Sequence, residues 1–404
     1  MRTRYGLSPW TLALPASRVP SYPRFRGEHA ADVVVIGAGV TGCAVAYSCA
    51  AAGLDTLVLD AERVGSGATG RGVGLLAPDP GPSFRDVVAA HGLRDARRVF
   101  EAWRLGASQG AALLRRLRIS CHLEAREMLL VARGDDERGL RKEHAARREA
   151  GFERGWQTPR QLSTRMKLEA VGGIRLRGGF VLDPYRACLG LATAAVRKGA
   201  VFFAHSPVRK VRYTRAHADV VTAHGTVRAS TVVVATGSAT AEFKGLRRHF
   251  TRRETYLAMT APVPAKMRKE LGDRAVVLDD AGTEPYRIRW ASGDRLLLCG
   301  ADQDETSLRS RPAVLVQRTG QLMYDLLTRY PAISGLQAEY GWEASYGRTA
   351  DRLMYIGAHR NYPHHLFALG GSDNITGAFV ASRIVLRAIE GTTEKADGVF
   401  GWTR

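Results

Sequence analysis

From Asp32 the chain meets an unbroken β-branched run, Val33 to Ile36, with none of the polar alternation of a strand that has one wet face. Such a run predicts a short strand buried on both sides. It opens into Gly37-Ala38-Gly39-Val40-Thr41-Gly42, then into a small-residue helix reaching about Ala52, a stop at Gly53, and a second strand, Thr56 to Leu59, ending at Asp60. Similar signals recur. Gly178 to Val211 reads as a strand, a Pro-initiated helix and a strand ending near Val208. Thr231 to Val234 is a strand before the turn Ala235-Thr236-Gly237. Leu366 to Leu369 is another, followed by Gly370-Gly371 and a helix from Ile375 that Ser372, Asp373 or Asn374 would cap.

Two other stretches carry a different pattern. Residues 84–171 read as helical and highly charged. Residues 255–338 hold strands in TYLAMTAPV, AVVLDD, PYRIRWAS and RLLLCGAD. The alternation Tyr286-Arg287-Ile288-Arg289-Trp290 predicts a half-exposed strand, and Ser292-Gly293-Asp294 a hairpin turn.

The first glycines carry a specific chemistry. Gly37 permits the tight turn, Gly39 lets a pyrophosphate approach the helix N-terminus, and Gly42 lets the helix lie close on the strand. Asp60 is placed to accept hydrogen bonds from an adenosine ribose. An ordinary βαβ unit with small turn residues is the competing reading; the order strand, triplet, helix, strand, acid favours a dinucleotide. After the acid comes RVGSGATGRGVGLLAP, Arg63 to Pro78, instead of another helix and strand. A smooth loop rich in N–H groups suits a large cofactor lying along the domain, with Arg71 near its phosphates or ring system.

The pairing of DVVVIGAGVTGCAVAY with LDAERVGSGATGRGVGLL resembles the FAD-dependent D-amino-acid oxidase-like superfamily, nearest its glycine and sarcosine oxidase and γ-glutamylputrescine oxidase branches. The resemblance implies an α/β fold. A discontinuous Rossmann-like FAD-binding domain of glutathione-reductase type (28–83, 172–254 and 339–404) would follow an extended Pro-rich arm (1–27). An α+β substrate domain built on an antiparallel sheet (84–171 and 255–338) would roof the flavin. It extends the cofactor contacts to Ala38, Val40, Thr41, Ala61, Arg63, Ser66, Gly67, Ala68, Thr69, Arg71, Gly72, Gly74 and Leu75. It adds Val208, Ala235, Thr236, Gly237, Gly370, Gly371, Asn374, Ile375 and Thr376.

The implied activity is oxidation of an amine or amino acid at its C–N bond, with oxygen or another acceptor taking the electrons. The family's substrate-carboxylate arginine corresponds to Tyr346, with Arg348 nearby, or to Arg289 on the roof strand. A tyrosine in that slot tilts the reading towards an amine. Where relatives attach flavin covalently this chain has Ala344 and Arg71, so FAD is expected to be dissociable.

Composition adds less. There are 59 Lys and Arg against 39 Asp and Glu, a net charge of +20, yet only eight are lysines and the arginines are scattered. That pattern fits coding bias as well as a basic surface, so a flavoprotein acting on modified tRNA, or one binding flavin without turnover, remains as an alternative and nucleic acid is not the expected partner. No apolar run of about 20 residues predicts a membrane span. The N-terminus departs from a secretory leader, and five widely spaced cysteines suggest buried reduced thiols, no metal site and a cytoplasmic protein.

Overall fold

The structure, a computed structural model, describes residues 2–133, 136–152, 155–281, 286–371 and 375–404. Two sheets organise it. The smaller has eight strands, and its main path runs Tyr355–His359, Tyr362–Leu369, Gly225–Gly237, Gly27–Ile36, Thr56–Leu59, Val201–Phe203. The four β-branched residues after Asp32 sit at its centre, with Val33 beside Thr231 on one flank and Thr56 on the other, all parallel. Val33 to Val35 have no exposed surface, as a strand covered on both faces requires. Helices Val40–Ala51, Pro184–Arg197 and Thr376–Glu390 pack together beside it.

The larger sheet has ten strands. Its path runs Arg4–Tyr5, Ala338–Arg348, Thr251–Thr260, Arg295–Asp304, Tyr286–Ala291, Val276–Asp280, Glu124–Ala132, Gly172–Val181, Leu75–Leu76. Its inner face, with Leu257, Met259, Leu297, Trp342 and Ala344, shares one apolar core with the helices of the smaller sheet. Its outer face, with Tyr256, Ile288 and Trp290, is covered by helix Arg311–Arg329 through Leu315, Leu322 and Leu326.

Several expectations change here. The strand Tyr286–Ala291 is not half exposed: Tyr286, Ile288, Arg289 and Trp290 are all buried. The Arg311–Arg329 helix closes one side and the core shared with the smaller sheet the other, which alternation in the strand alone does not reveal. Residues 84–171 are not wholly helical, because Glu124–Ala132 is a strand beside Gly172–Val181. Strands read from sequence with the FAD-binding segments also join the larger sheet: Leu75–Leu76, Gly172–Val181 and nearly all of Ala338–Arg348 hydrogen bond into it, and Thr251–Thr260 straddles the 254/255 boundary.

The strand expected to end near Val208 stops at Phe203. Beyond it Ser206 N–H turns to the Asp60 carbonyl, and Pro207 has no N–H to offer a neighbouring strand. The N-terminal arm is not simply extended. Ser8 caps the helical turn Pro9–Leu12, and Trp10 is buried. The hairpin at Ser292–Asp294 is present, with Gly293 and Asp294 at φ 71° and 56°.

Candidate active site

A cleft of about 540 Å³ lies where the parallel strands end and the larger sheet begins. Its floor is main chain. Gly37 has φ 102°, and a Cβ there would stand 2.7 Å from the Ala235 carbonyl oxygen. A Cβ on Gly42 would stand 1.8 Å from the Gly37 oxygen, so only glycine allows this helix to start so close to its strand. Asp60 ends its strand with one oxygen accepting from Ala38 N–H at 2.5 Å and the other from Glu62 N–H at 2.8 Å. A carboxylate has about four acceptor positions, so both oxygens keep capacity for ribose hydroxyls. The two glycine-rich segments are stitched together: Val40 N–H donates to Thr69 Oγ1 at 3.0 Å, and Gly65 N–H to the Ala38 oxygen at 3.0 Å.

The loop after Asp60 owes its orientation to side chains from elsewhere. Trp342 Nε1 donates to the Arg71 oxygen at 2.8 Å, Trp10 Nε1 to the Gly72 oxygen at 2.9 Å, and Arg289 Nε to the Val73 oxygen at 2.8 Å. Three consecutive carbonyls are thus each held by a donor lying outside the loop, two from the larger sheet and one from the N-terminal arm. Gly74, at φ 68°, is closed in by the Leu182 oxygen and Arg289.

Most sequence-selected residues line the cleft: Gly37, Gly39, Val40, Thr41, Asp60, Ala61, Ser66, Gly67, Ala68, Thr69, Gly72, Val208, Ala235, Thr236, Gly237, Gly370, Gly371 and Ile375. Others support it from behind. Ala38 and Gly42 shape the turn, Leu75 accepts from Ile375 N–H at 2.8 Å, and Thr376 Oγ1 donates to the Ala77 oxygen. Arg63 is outside the lining. Arg71 turns away to pair with Glu343 at 3.0 Å. Asn374, with its neighbours Ser372 and Asp373, lies outside the described residues.

The three candidate substrate residues separate. Tyr346 lines the cleft, beside Ser345 and near Thr255, and donates its hydroxyl to Asp302 Oδ2 at 2.6 Å. Arg348 ends the same strand without lining the cleft. Arg289 is not in the cleft either. It is 3% exposed, and its guanidinium holds the carbonyls of Val73, Trp290 and Leu182. Its parity along the strand turns it towards the Val73 carbonyl, and it lines a separate cavity. Sequence reading missed Trp103, Arg252, Thr255 and Met354, which also line the cleft. Each comes from a segment that carries no glycine motif. Arg252 pairs with Glu305 at 3.1 Å.

The family described as FAD dependent oxidoreductase (DAO) matches residues 32–387. The chain belongs to this family. Its cofactor is FAD, and the glycine cradle, Asp60 and the pinned loop fit that nucleotide. Among relatives in the DAO family, a probable oxidoreductase OrdL of Haemophilus influenzae is 27% identical over 391 residues, spanning 91% of this chain and 84% of that protein. Gamma-glutamylputrescine oxidoreductase of Escherichia coli is 23% identical over 392 residues, spanning 95% and 89%. Glycine oxidase from Geobacillus kaustophilus superposes with a TM-score of 0.77 at 21% identity, over 93% of this chain and 99% of that one. That likeness shows the fold, an α/β unit joined to a sheet that is largely antiparallel, with Val276–Asp280 beside Glu124–Ala132 in parallel. Among the described residues no helix is long and apolar enough to cross a membrane, and no cluster of side chains would hold a metal ion.

Proposed function

We propose that this chain oxidises the C–N bond of an amine or amino acid whose nitrogen is received at the Tyr346–Asp302 corner of the cleft. FAD held by the glycine turn and Asp60 would supply the hydride acceptor for the carbon that bears the nitrogen. The protein's own part is placement. Thr255, Ser345 and Trp103 wall the space in which that carbon must be held. Tyr346 donates to a carboxylate, which polarises the phenol oxygen as an acceptor for a substrate N–H. The nitrogen loses a proton as the carbon loses hydride, and the imine released hydrolyses to a carbonyl compound and an amine or ammonia.

The observation that carries this reading is Tyr346 bound to Asp302, where an arginine would receive a carboxylate next to the reacting carbon. That corner favours basic nitrogen. The names gamma-glutamylputrescine oxidoreductase, glycine oxidase and L-amino acid deaminase among the relatives and structural neighbours all refer to nitrogen-bearing substrates. FAD is held without a covalent bond in this proposal, with Ala344 in the roof and Arg71 engaged by Glu343. Acid precipitation should leave the flavin in the supernatant.

The test is an anaerobic panel of primary amines, γ-glutamyl amines and amino acids added to the yellow protein. Flavin bleaching by amines ahead of α-amino acids is the expected result, and admitting oxygen then separates oxidase from dehydrogenase. Bleaching by α-hydroxy acids or glycerol phosphates alone would refute C–N oxidation.

A further inference from the structure

A second cavity, of about 580 Å³, opens on the other side of Leu182 and Asp183 from the cleft. Its walls combine Trp10 of the N-terminal arm, the strand bearing Arg289 and Trp290, and several arginines. Most of those arginines are matched. Arg126 pairs with Glu124, Arg186 with Asp183 at 3.3 Å, Arg274 with Asp294 at 2.6 Å, and Arg295 with Glu339. Arg4, at the rim, bonds the Tyr340 hydroxyl at 3.2 Å.

Arg289 differs from all of them. It is the most deeply buried of the group, and no carboxylate among the described residues lies within ion-pair distance. Its three hydrogen bonds go to neutral carbonyls, one from each nitrogen. A guanidinium has five N–H groups, so one remains on each terminal nitrogen. Burial pulls its pKa down to about 10 against the opposing pull of the Asp183 carboxylate, and it still carries a full positive charge at neutral pH. A buried cation held in no ion pair is costly, and its two remaining N–H groups can donate to oxygens of an anion. Trp10 lies under the guanidinium at 5.3 Å, so the wall also suits an apolar body.

We propose that this cavity is a second ligand site, for a small organic anion whose carboxylate or phosphate is received by Arg289. The same residue holds the Val73 carbonyl of the flavin loop, and Trp10 holds Gly72, so occupancy of the cavity is felt at the cofactor. The site is independent of which substrate the cleft oxidises, and its test needs no turnover.

Holoprotein would be titrated separately with citrate, succinate and inorganic phosphate, following tryptophan fluorescence and the visible flavin band. Saturable binding of at least one is expected, and comparison of the carboxylates with phosphate tells which head group the site takes. In Arg289→Met that affinity should fall at least about tenfold, with Arg289→Lys recovering part of it. Absence of saturable binding in the wild-type protein, or unchanged affinity in a folded Arg289→Met, overturns the proposal. If Arg289→Met does not fold, wild-type crystals soaked in selenate decide: an anion within hydrogen-bond distance of Arg289 supports the site, and a cavity without one refutes it.

Discussion

The floor and the roof of the cleft are built on opposite principles. The floor is made of backbone: Gly37 and Gly42 sit where any Cβ would strike a carbonyl, and the Asp60 carboxylate is tied to the turn through Ala38 N–H. The roof is made of side chains. Thr255, Ser345 and Tyr346 reach from long strands whose backbone is occupied with pairing, with Asp302 behind Tyr346. A floor of main chain holds the part of the ligand that every FAD protein shares. A roof of side chains is free to vary with the substrate, because replacing one leaves the strand ladder intact. The two meet at Thr349–Leu353, where Asp351 accepts from Arg404, Leu353 N–H and Thr349 Oγ1.

The most severe way to break this contrast is Gly42→Val. With the Cβ position 1.8 Å from the Gly37 oxygen, overpacking should cost about 3 kcal/mol, roughly a hundredfold in FAD affinity. The protein should purify colourless; a fully yellow Gly42→Val would end the claim that the floor tolerates no side chain. Next in size is the seam. Burial would raise the Asp351 carboxyl, but Arg404 and the neighbouring donors hold it below the ordinary range. A lowered folded pKa contributes stability above the unfolded value of about 4, and that stability is lost as pH falls through the folded one. Asp351→Asn should therefore lower stability by roughly 2 kcal/mol at pH 7. The gap in melting temperature should close on acidification below about pH 4, and a gap independent of pH would mean the charge is not what matters.

Smaller effects sharpen the roof. Tyr346→Phe removes the hydrogen bond to Asp302 and should reduce kcat/KM for the best amine about tenfold, while FAD occupancy stays unchanged. Loss of flavin in that variant would show that Tyr346 belongs to the floor after all. Smallest is Trp342→Phe, which removes the donor to the Arg71 carbonyl; FAD affinity measured by dialysis should fall a few-fold, as for one neutral hydrogen bond.

How far the sequence could be read follows the same division. Strand, glycine turn, helix, strand and acid are contiguous, so the Gly42–Gly37 approach and the Asp60–Ala38 bond are local and their spacing is visible in the chain. The loop at Ser66–Gly72 was legible for the same reason, as was the turn Ala235–Gly237. The surroundings of Arg289 were not legible because its neighbours are distant: only the placement of Val73, Leu182 and Trp10 around it shows that it braces a loop. The alternation around it was equally deceptive, since the Arg311–Arg329 helix covering that strand starts some twenty residues later.

What the chain alone determined was the cofactor-binding turn, because steric exclusion at a glycine and the placement of an acid at a strand end are short-range matters. What only the tertiary structure decided was the direction of each polar side chain in the roof and arm. Those directions depend on which strands pair, and pairing is settled by contacts hundreds of residues apart, as between Trp342 and Arg71.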